Sequence, residues 1–274
     1  WHEDDRITAF YGNTLNRQYK FNGTTGDNSG TFSLVPSGEL GTGNTLDAIY
    51  AIYPYDASAT ISDEGLISLT LPSEQSYAEN SFGKGANTMV AVTKDVDDTF
   101  LAFKNACGYL KIKLYGNATV ESIELKGNNG EKIAGSASIE ALYGSAPKTS
   151  MNSTATESVT LDCGEGVKLG TSQSTATTFW IALPEVTFSK GFKVTVMDVD
   201  GDLFAKSTTK SVSIERNTVQ PMSAFKLSLV DGDNLPRVSV APESITQQTT
   251  ADVVITINTT GTPLASYPGF YRGL

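Results

Sequence analysis

The chain carries a single histidine, His2, at its second position. A Ser-His-Asp triad needs an imidazole to take the nucleophile's proton, and many zinc sites are built on several imidazoles. Beyond His2 the sequence holds the parts for neither. The two cysteines, Cys107 and Cys163, have no C-x-x-C partner, which removes the common thiol-redox and zinc patterns. They are either two buried thiols or one disulfide, and an extracytoplasmic protein would favour the bond. Carboxylates alternate in Asp198-Val199-Asp200-Gly201-Asp202 like the opening of a calcium loop, but the closing bidentate glutamate is missing. Asp200-Gly201 is also a preferred hairpin pair, because glycine accepts the positive φ of the turn, and the hairpin is the reading adopted. Tyr50, Tyr53 and Tyr55 could stack on a sugar, yet at strand spacing they read as core and boundary residues. Glu64, Glu74 and Glu79 fall in loops with no partner, so a paired-carboxylate glycosidase has no specific support. No glycine-rich phosphate loop joins a strand to a helix. The inventory predicts no catalytic residue, no cofactor and no metal.

The elements around these residues read as strands. At 274 residues the chain is long enough for two domains, and its 25 glycines separate short alternating segments of the kind that build all-β folds. The net charge of −10, from 20 basic and 30 acidic residues, argues against nucleic acid, whose binding rests on neutralising phosphates with Lys and Arg. It argues equally against adsorption to anionic lipid. No stretch approaches the ~20 apolar residues that a membrane-spanning helix needs.

The organising stretch is Phe100–Tyr115, F-L-A-F-K-N-A-C-G-Y-L-K-I-K-L-Y. Its two alternating runs, Phe100–Phe103 and Tyr109–Leu114, predict strands. In the second, Leu110, Ile112 and Leu114 share one face, opposite Lys111 and Lys113. Lys104–Gly108 between them reads as a turn or bulge, the seam where one β domain closes and the next begins.

Upstream, Ile7–Tyr11, Tyr19–Phe21, Thr31–Leu34, Ala48–Tyr55, Leu66–Leu71 and Met89–Val92 read as strands. Both faces of A-I-Y-A-I-Y-P-Y look covered, and Pro54 ends that strand because it has no N–H for a ladder. Ser73–Lys84 reads as a polar loop anchored by Tyr77 and Phe82. Downstream, Val120–Lys126 meets Gly127-Asn128-Asn129-Gly130, whose Asn-Gly step predicts a tight hairpin with Lys132–Glu140. Ser158–Leu161, Phe179–Leu183, Gly191–Asp198, Leu203–Ser207 and Ala224–Leu229 complete the strands, and a short helix is expected near Thr218–Met222. Short strands at this spacing predict β-sandwiches.

Over about residues 1–230 the chain resembles the fimbrillin family of Bacteroidales surface proteins, which includes type V pilus subunits. The residues that carry the resemblance are W-H-E-D-D-R-I-T-A-F at the start, A-I-Y-A-I-Y-P-Y at 48–55, L-P-S-E-Q-S-Y at 71–77 and F-K-N-A-C-G-Y-L-K-I-K-L at 103–114. L-K-G-N-N-G-E-K-I-A-G at 125–135, L-D-C-G-E-G-V at 161–167, F-W-I-A-L-P at 179–184 and I-E-R-N-T-V-Q-P-M at 214–222 follow in the family's order. The resemblance implies two tandem transthyretin-like (Ig-like, Greek-key) sandwiches, 1–104 and 105–231; family chains commonly finish near the residues matching Ala224–Leu229, so 232–274 reads as an extended tail that departs from the family. It implies export to the cell surface and outer membrane as a processed lipoprotein, without catalytic residues. Expected partners are neighbouring pilus subunits and surface glycans or proteins of host or bacteria. The alternative is a carbohydrate-binding or substrate-capturing lipoprotein that uses the sandwiches as spacers.

Family chains carry a further strand and a lipidated cysteine before the residue matching Trp1, so this chain reads as processed or trimmed. A first sandwich without that strand would leave a groove open for strand addition. In the tail, Ala251, Val253, Ile255 and Ile257 share one face, opposite Asp252, Val254, Thr256 and Asn258, and form a candidate donor strand. The tail reads equally as the start of a further Ig-like domain. In an exported chain, Cys107 and Cys163 are expected to form a disulfide within the second sandwich.

Overall fold

The computed structural model describes residues 1–12, 15–36 and 45–227, with the backbone of Arg237–Ala241 and Val254–Asn258. The chain forms two compact units, Trp1–Leu227 and Ser228–Leu274. The first is all-β and consists of stacked sheets, with one turn of 3-10 helix at Gln173–Thr175 among its described residues. The second contains an antiparallel pair, Arg237–Ala241 with Val254–Asn258, in which Val238 lies opposite Ile257 and Val240 opposite Ile255.

Four larger sheets and one two-stranded pair, Val186–Phe188 with Val212–Ile214, make up the described part of the first unit. Sheet I runs in the order Lys104–Asn105, Met89–Val92, Leu46–Tyr53, Arg6–Gly12, Arg17–Phe21, Phe32–Leu34. Sheet II runs Lys148–Met151, Gly135–Glu140, Leu66–Leu71, Thr60–Ile61. Sheet III sets Cys107–Tyr115 between Thr177–Pro184 and the closing strands Val219–Pro221 and Phe225–Lys226. Sheet IV runs Leu203–Ser207, Phe192–Asp198, Thr119–Gly127, Ser158–Lys168, Glu74–Ala78, Ser81–Phe82.

Period-two patterning sets which face each strand buries. Leu66–Leu71 is the simplest case, with Ile67, Leu69 and Leu71 buried and Leu66, Ser68 and Thr70 exposed. Phe10, Ile52 and Val90 of sheet I meet Ile67, Leu69 and Ile139 of sheet II in a first core. A second core lies between sheets III and IV, where Leu110, Ile112, Leu114, Phe179 and Ile181 face Val120, Ile123, Leu125, Val159 and Val194. Both faces of Leu46–Tyr53 are covered, as its composition suggested. Ile52 enters the first core, while Ala51 and Tyr53 join an outer aromatic cluster with Trp1, Phe32 and Phe103.

The seam at Cys107–Tyr115 is a shared layer. Cys107 and Tyr109 point into the first core, and Leu110, Ile112 and Leu114 into the second. Its partner Thr177–Pro184 does the same, with Ala182 in the first core and Phe179, Ile181 and Leu183 in the second. One two-faced sheet therefore serves both cores. Gly108 lets the turn that leads into Val219–Pro221 approach this strand, because a Cβ there would collide with the carbonyl oxygen of Glu215.

Several sequence expectations are corrected. Gly127–Gly130 makes no hairpin, because Thr119–Gly127 stays in sheet IV while Gly135–Glu140 crosses to pair with Leu66–Leu71 in sheet II. Asn128 fastens this crossover by donating from its amide to the carbonyls of Lys190 and Thr208, at 2.9 Å each. Ser73–Lys84 contains two strands, although its anchors are as expected: Tyr77 packs on Phe179 at 5.4 Å and Phe82 stacks on Tyr109 at 4.9 Å. Val219–Pro221 is a strand and not a helix, because the Cys107–Tyr115 edge supplies it with a partner. Phe100–Phe103 belongs to no ladder; Leu101 and Phe103 turn into the outer aromatic cluster instead. Two ladders, Leu66–Leu71 with Gly135–Glu140 and Glu74–Ala78 with Ser158–Lys168, cross the expected boundary at 104/105. Val238, Val240, Ile255 and Ile257 fall within the tail pair, whereas Ala251 and Val253 lie outside the described residues.

Candidate functional site

One geometry that a function can use lies at a lateral edge of the first sandwich. Lys104–Asn105 pairs with Met89–Val92 at two positions only, Lys104 opposite Val90 and Asn105 opposite Met89. Residues 99–103 leave the sheet, so the edge ladder stops before Ala91 and Val92. Across the opening is the turn between Gly135–Glu140 and Lys148–Met151, where the N–H of Ser145 donates to the carbonyl of Leu142 at 3.0 Å. Lys104 ties edge to turn, its ammonium donating to the carbonyl of Ser145 at 2.7 Å.

Between them lies a cleft of about 190 Å³, lined by Val90, Val92, Ala102, Leu142, Tyr143 and Pro147 among others. Its rim is apolar and wet: Leu142 is 53% exposed and Tyr143 60%. Nearby in the chain, Phe100 is 77% exposed at the end of the acidic turn Asp95–Asp98. That turn is ordered by its own carboxylates. Asp95 accepts from the N–H groups of Asp97 and Asp98, both at 3.1 Å. Asp98 accepts from Phe100 at 2.9 Å and from Lys94 at 3.2 Å, and these N–H groups hold its carboxyl below the ordinary range. Exposed large apolar side chains beside an incomplete ladder can mark an interaction surface.

Asp198, Tyr53 and Tyr50, which suggested other chemistry, have structural roles. Asp198 organises its turn, accepting from the N–H groups of Asp200 at 3.1 Å and Asp202 at 2.9 Å, with Gly201 at φ +80°, as a hairpin requires. Tyr53 lies beneath Trp1 at 5.3 Å, and its hydroxyl donates to the buried carboxylate of Asp5 at 3.0 Å. Tyr50 packs against the first core. Among the described residues, no group of three or more His, Cys, Asp or Glu side chains is placed to hold a metal. No helix among them is long and apolar enough to cross a membrane.

Cys107 and Cys163 are both free and buried. The expected disulfide is not formed, because the two thiols enter different cores: Cys107 lies in the first and Cys163 in the second. A bond requires Cβ atoms about 4 Å apart and directed at one another. Burial pushes each thiol up to about 12, which keeps both protonated and unreactive at neutral pH.

Little in the sequence marks the cleft. The one signal available was Leu142-Tyr143, two large apolar residues in a turn otherwise of small and polar type.

No protein-family profile matches the chain, and no curated protein matches it. Among solved structures it is similar to a candidate cell adhesion protein from Bacteroides ovatus, at 17% identity and a TM-score of 0.49, over 82% of this chain and 83% of that one. A second candidate cell adhesion protein, from Bacteroides uniformis, is 14% identical with a TM-score of 0.46, over 83% and 88%. A fimbrial protein from Bacteroides ovatus is 13% identical with a TM-score of 0.34, over 83% of this chain and 45% of that one. At these identities the likeness concerns fold alone.

Proposed function

We propose that the chain is a non-enzymatic cell-surface protein, a fimbrillin-like pilus subunit or adhesin that assembles by strand addition. The observation that carries this reading is the interrupted Met89–Val92 edge opening onto an apolar cleft. An edge with free backbone groups is a template for another chain, and pockets beside it receive every second side chain of the incoming strand. The proposed occupant is Ala251–Asn258 of a neighbouring copy, which would offer the cleft the face holding Ala251, Val253, Ile255 and Ile257. Export as a lipoprotein and a place at the outer membrane belong to the same reading. Within its own chain Val254–Asn258 pairs with Arg237–Ala241, so insertion would exchange that pairing for a new one.

The test uses two double variants and sedimentation of the purified chain over a range of concentrations. Val253→Asp with Ile255→Asp spoils the proposed donor, and Leu142→Asp with Tyr143→Asp spoils the acceptor. The parent is expected to form concentration-dependent polymers, each variant alone to stay monomeric, and an equimolar mixture of the two to stop at heterodimers. Polymers that persist in both variants overturn strand addition at this cleft. A parent that stays monomeric and binds glycans favours the capture alternative.

A further inference from the structure

We infer that the closing strands of the first unit form a mechanical clamp, which load arriving through Leu227 must shear and cannot peel. Val219–Pro221 and Phe225–Lys226 run parallel to Cys107–Tyr115, with Tyr109 opposite Val219 and Leu114 opposite Phe225. The closing strands lie at the edge of sheet III, and in that sheet the central strand is what holds them. Four further backbone bonds bracket the contact. Asn217 donates to the carbonyl of Cys107 at 2.8 Å, Tyr109 to Thr218 at 2.9 Å, Met222 to Lys111 at 2.8 Å and Leu227 to Tyr115 at 2.8 Å.

The direction of pull follows from the topology. The central strand is anchored at its beginning, where Cys107 and Tyr109 are buried in the first core and Lys104–Asn105 pairs with Met89–Val92. The closing strands are pulled at their end, where the chain passes from Leu227 into Ser228. Parallel strands drawn from opposite ends slide along each other, so all their hydrogen bonds carry the load together. An antiparallel closing strand would end beside Cys107, and its bonds would open one at a time. The side chains add to the resistance, because sliding would also drag Leu227, and Met222 and Phe225 packed beside it, out of the second core. Forced unfolding is governed by the unfolding rate, so this geometry acts on lifetime under tension more than on equilibrium stability. The use of the clamp in a surface fibre rests on the function proposed above, whereas the mechanics do not.

The experiment pulls single molecules of the full chain in two geometries. Handles at Trp1 and Leu274 load the closing strands in shear. Handles at an Asn117→Cys substitution and at Leu274 load the same bonds as a peel, because exposed Asn117 follows the anchored strand's far end. Release of the closing strands is recognised by the length gained, at most about 3.6 Å per residue. The shear geometry is expected to need at least about twice the force of the peel at equal loading rate. Equal forces, or a stronger peel, overturn the clamp. A high shear force in a protein that never polymerises keeps the clamp and removes its proposed use, whereas a polymerising protein with equal forces loses the clamp alone.

Discussion

Two single residues do work that no local pattern announces. Gln75 is buried, and its amide serves as a substitute strand partner: it donates to the carbonyl of Ala182 at 2.7 Å and accepts from the N–H of Ala182 at 2.9 Å. Gln75→Ala leaves both backbone groups without a partner, and a buried orphan costs about 1–3 kcal/mol, so a loss of roughly 2–4 kcal/mol is expected in urea unfolding. Gly108→Ala places a methyl against the Glu215 carbonyl, and overpacking against backbone is expected to cost about 2 kcal/mol or more in the same assay. The cysteines predict a pH effect. Their folded values lie near 12 against an ordinary 9.0, so the proton is bound more tightly in the fold. The stability this contributes is whole below pH 9 and drains as the pH climbs from 9 to 12. A Cys107→Ala variant is expected to show a shallower loss across that window. Alkylation under non-reducing conditions is expected to leave the native protein unmodified and to add two groups after denaturation, whereas a disulfide would block both.

At the scale of elements, the crossing of Gly135–Glu140 into sheet II matters most. It places Ala137 and Ile139 in the first core and supplies Leu66–Leu71 with its partner on one side. A fragment of residues 1–104 lacks that hairpin and also Ala106, Cys107 and Tyr109, so its sheet II is reduced to Thr60–Ile61 and Leu66–Leu71. The fragment is expected to show poorly dispersed amide resonances and to bind a hydrophobic dye, while 1–227 shows neither. A well-dispersed spectrum from 1–104 would mean that the crossing strands are dispensable.

For the molecule as a whole, the two-faced sheet III couples the two cores. Loosening either side disturbs the layer they share, so 1–227 is expected to unfold as one cooperative body. Ile67→Ala in the first core and Leu125→Ala in the second each remove a fully buried side chain, with an expected cost of about 2–5 kcal/mol. Both variants are expected to lower one common transition in calorimetry. Two separated transitions, each sensitive to one variant, would show the sandwiches to be independent.

Many of the strands, and the faces they bury, are legible in the chain alone. Period-two alternation fixes which side of Leu66–Leu71 or Tyr109–Leu114 meets the core, because consecutive side chains must point oppositely. The sequence by itself also determined the residue inventory, with one histidine and no paired thiol motif, and the charge that disfavours polyanionic partners. Partnership was decided only in three dimensions. Nothing local in Gly135–Glu140 says that it joins Leu66–Leu71 and not the neighbouring Thr119–Gly127, since the cost of closing a loop grows only slowly with its length. Phe100–Phe103 alternates as well as many strands do and has no ladder, while Val219–Pro221 is a strand because an edge was waiting for it. An open groove is expected of the first sandwich, but the place of the open edge and its cleft is hidden, because an unmade pairing is a property of the assembled sheets and leaves no mark on the residues that lack a partner.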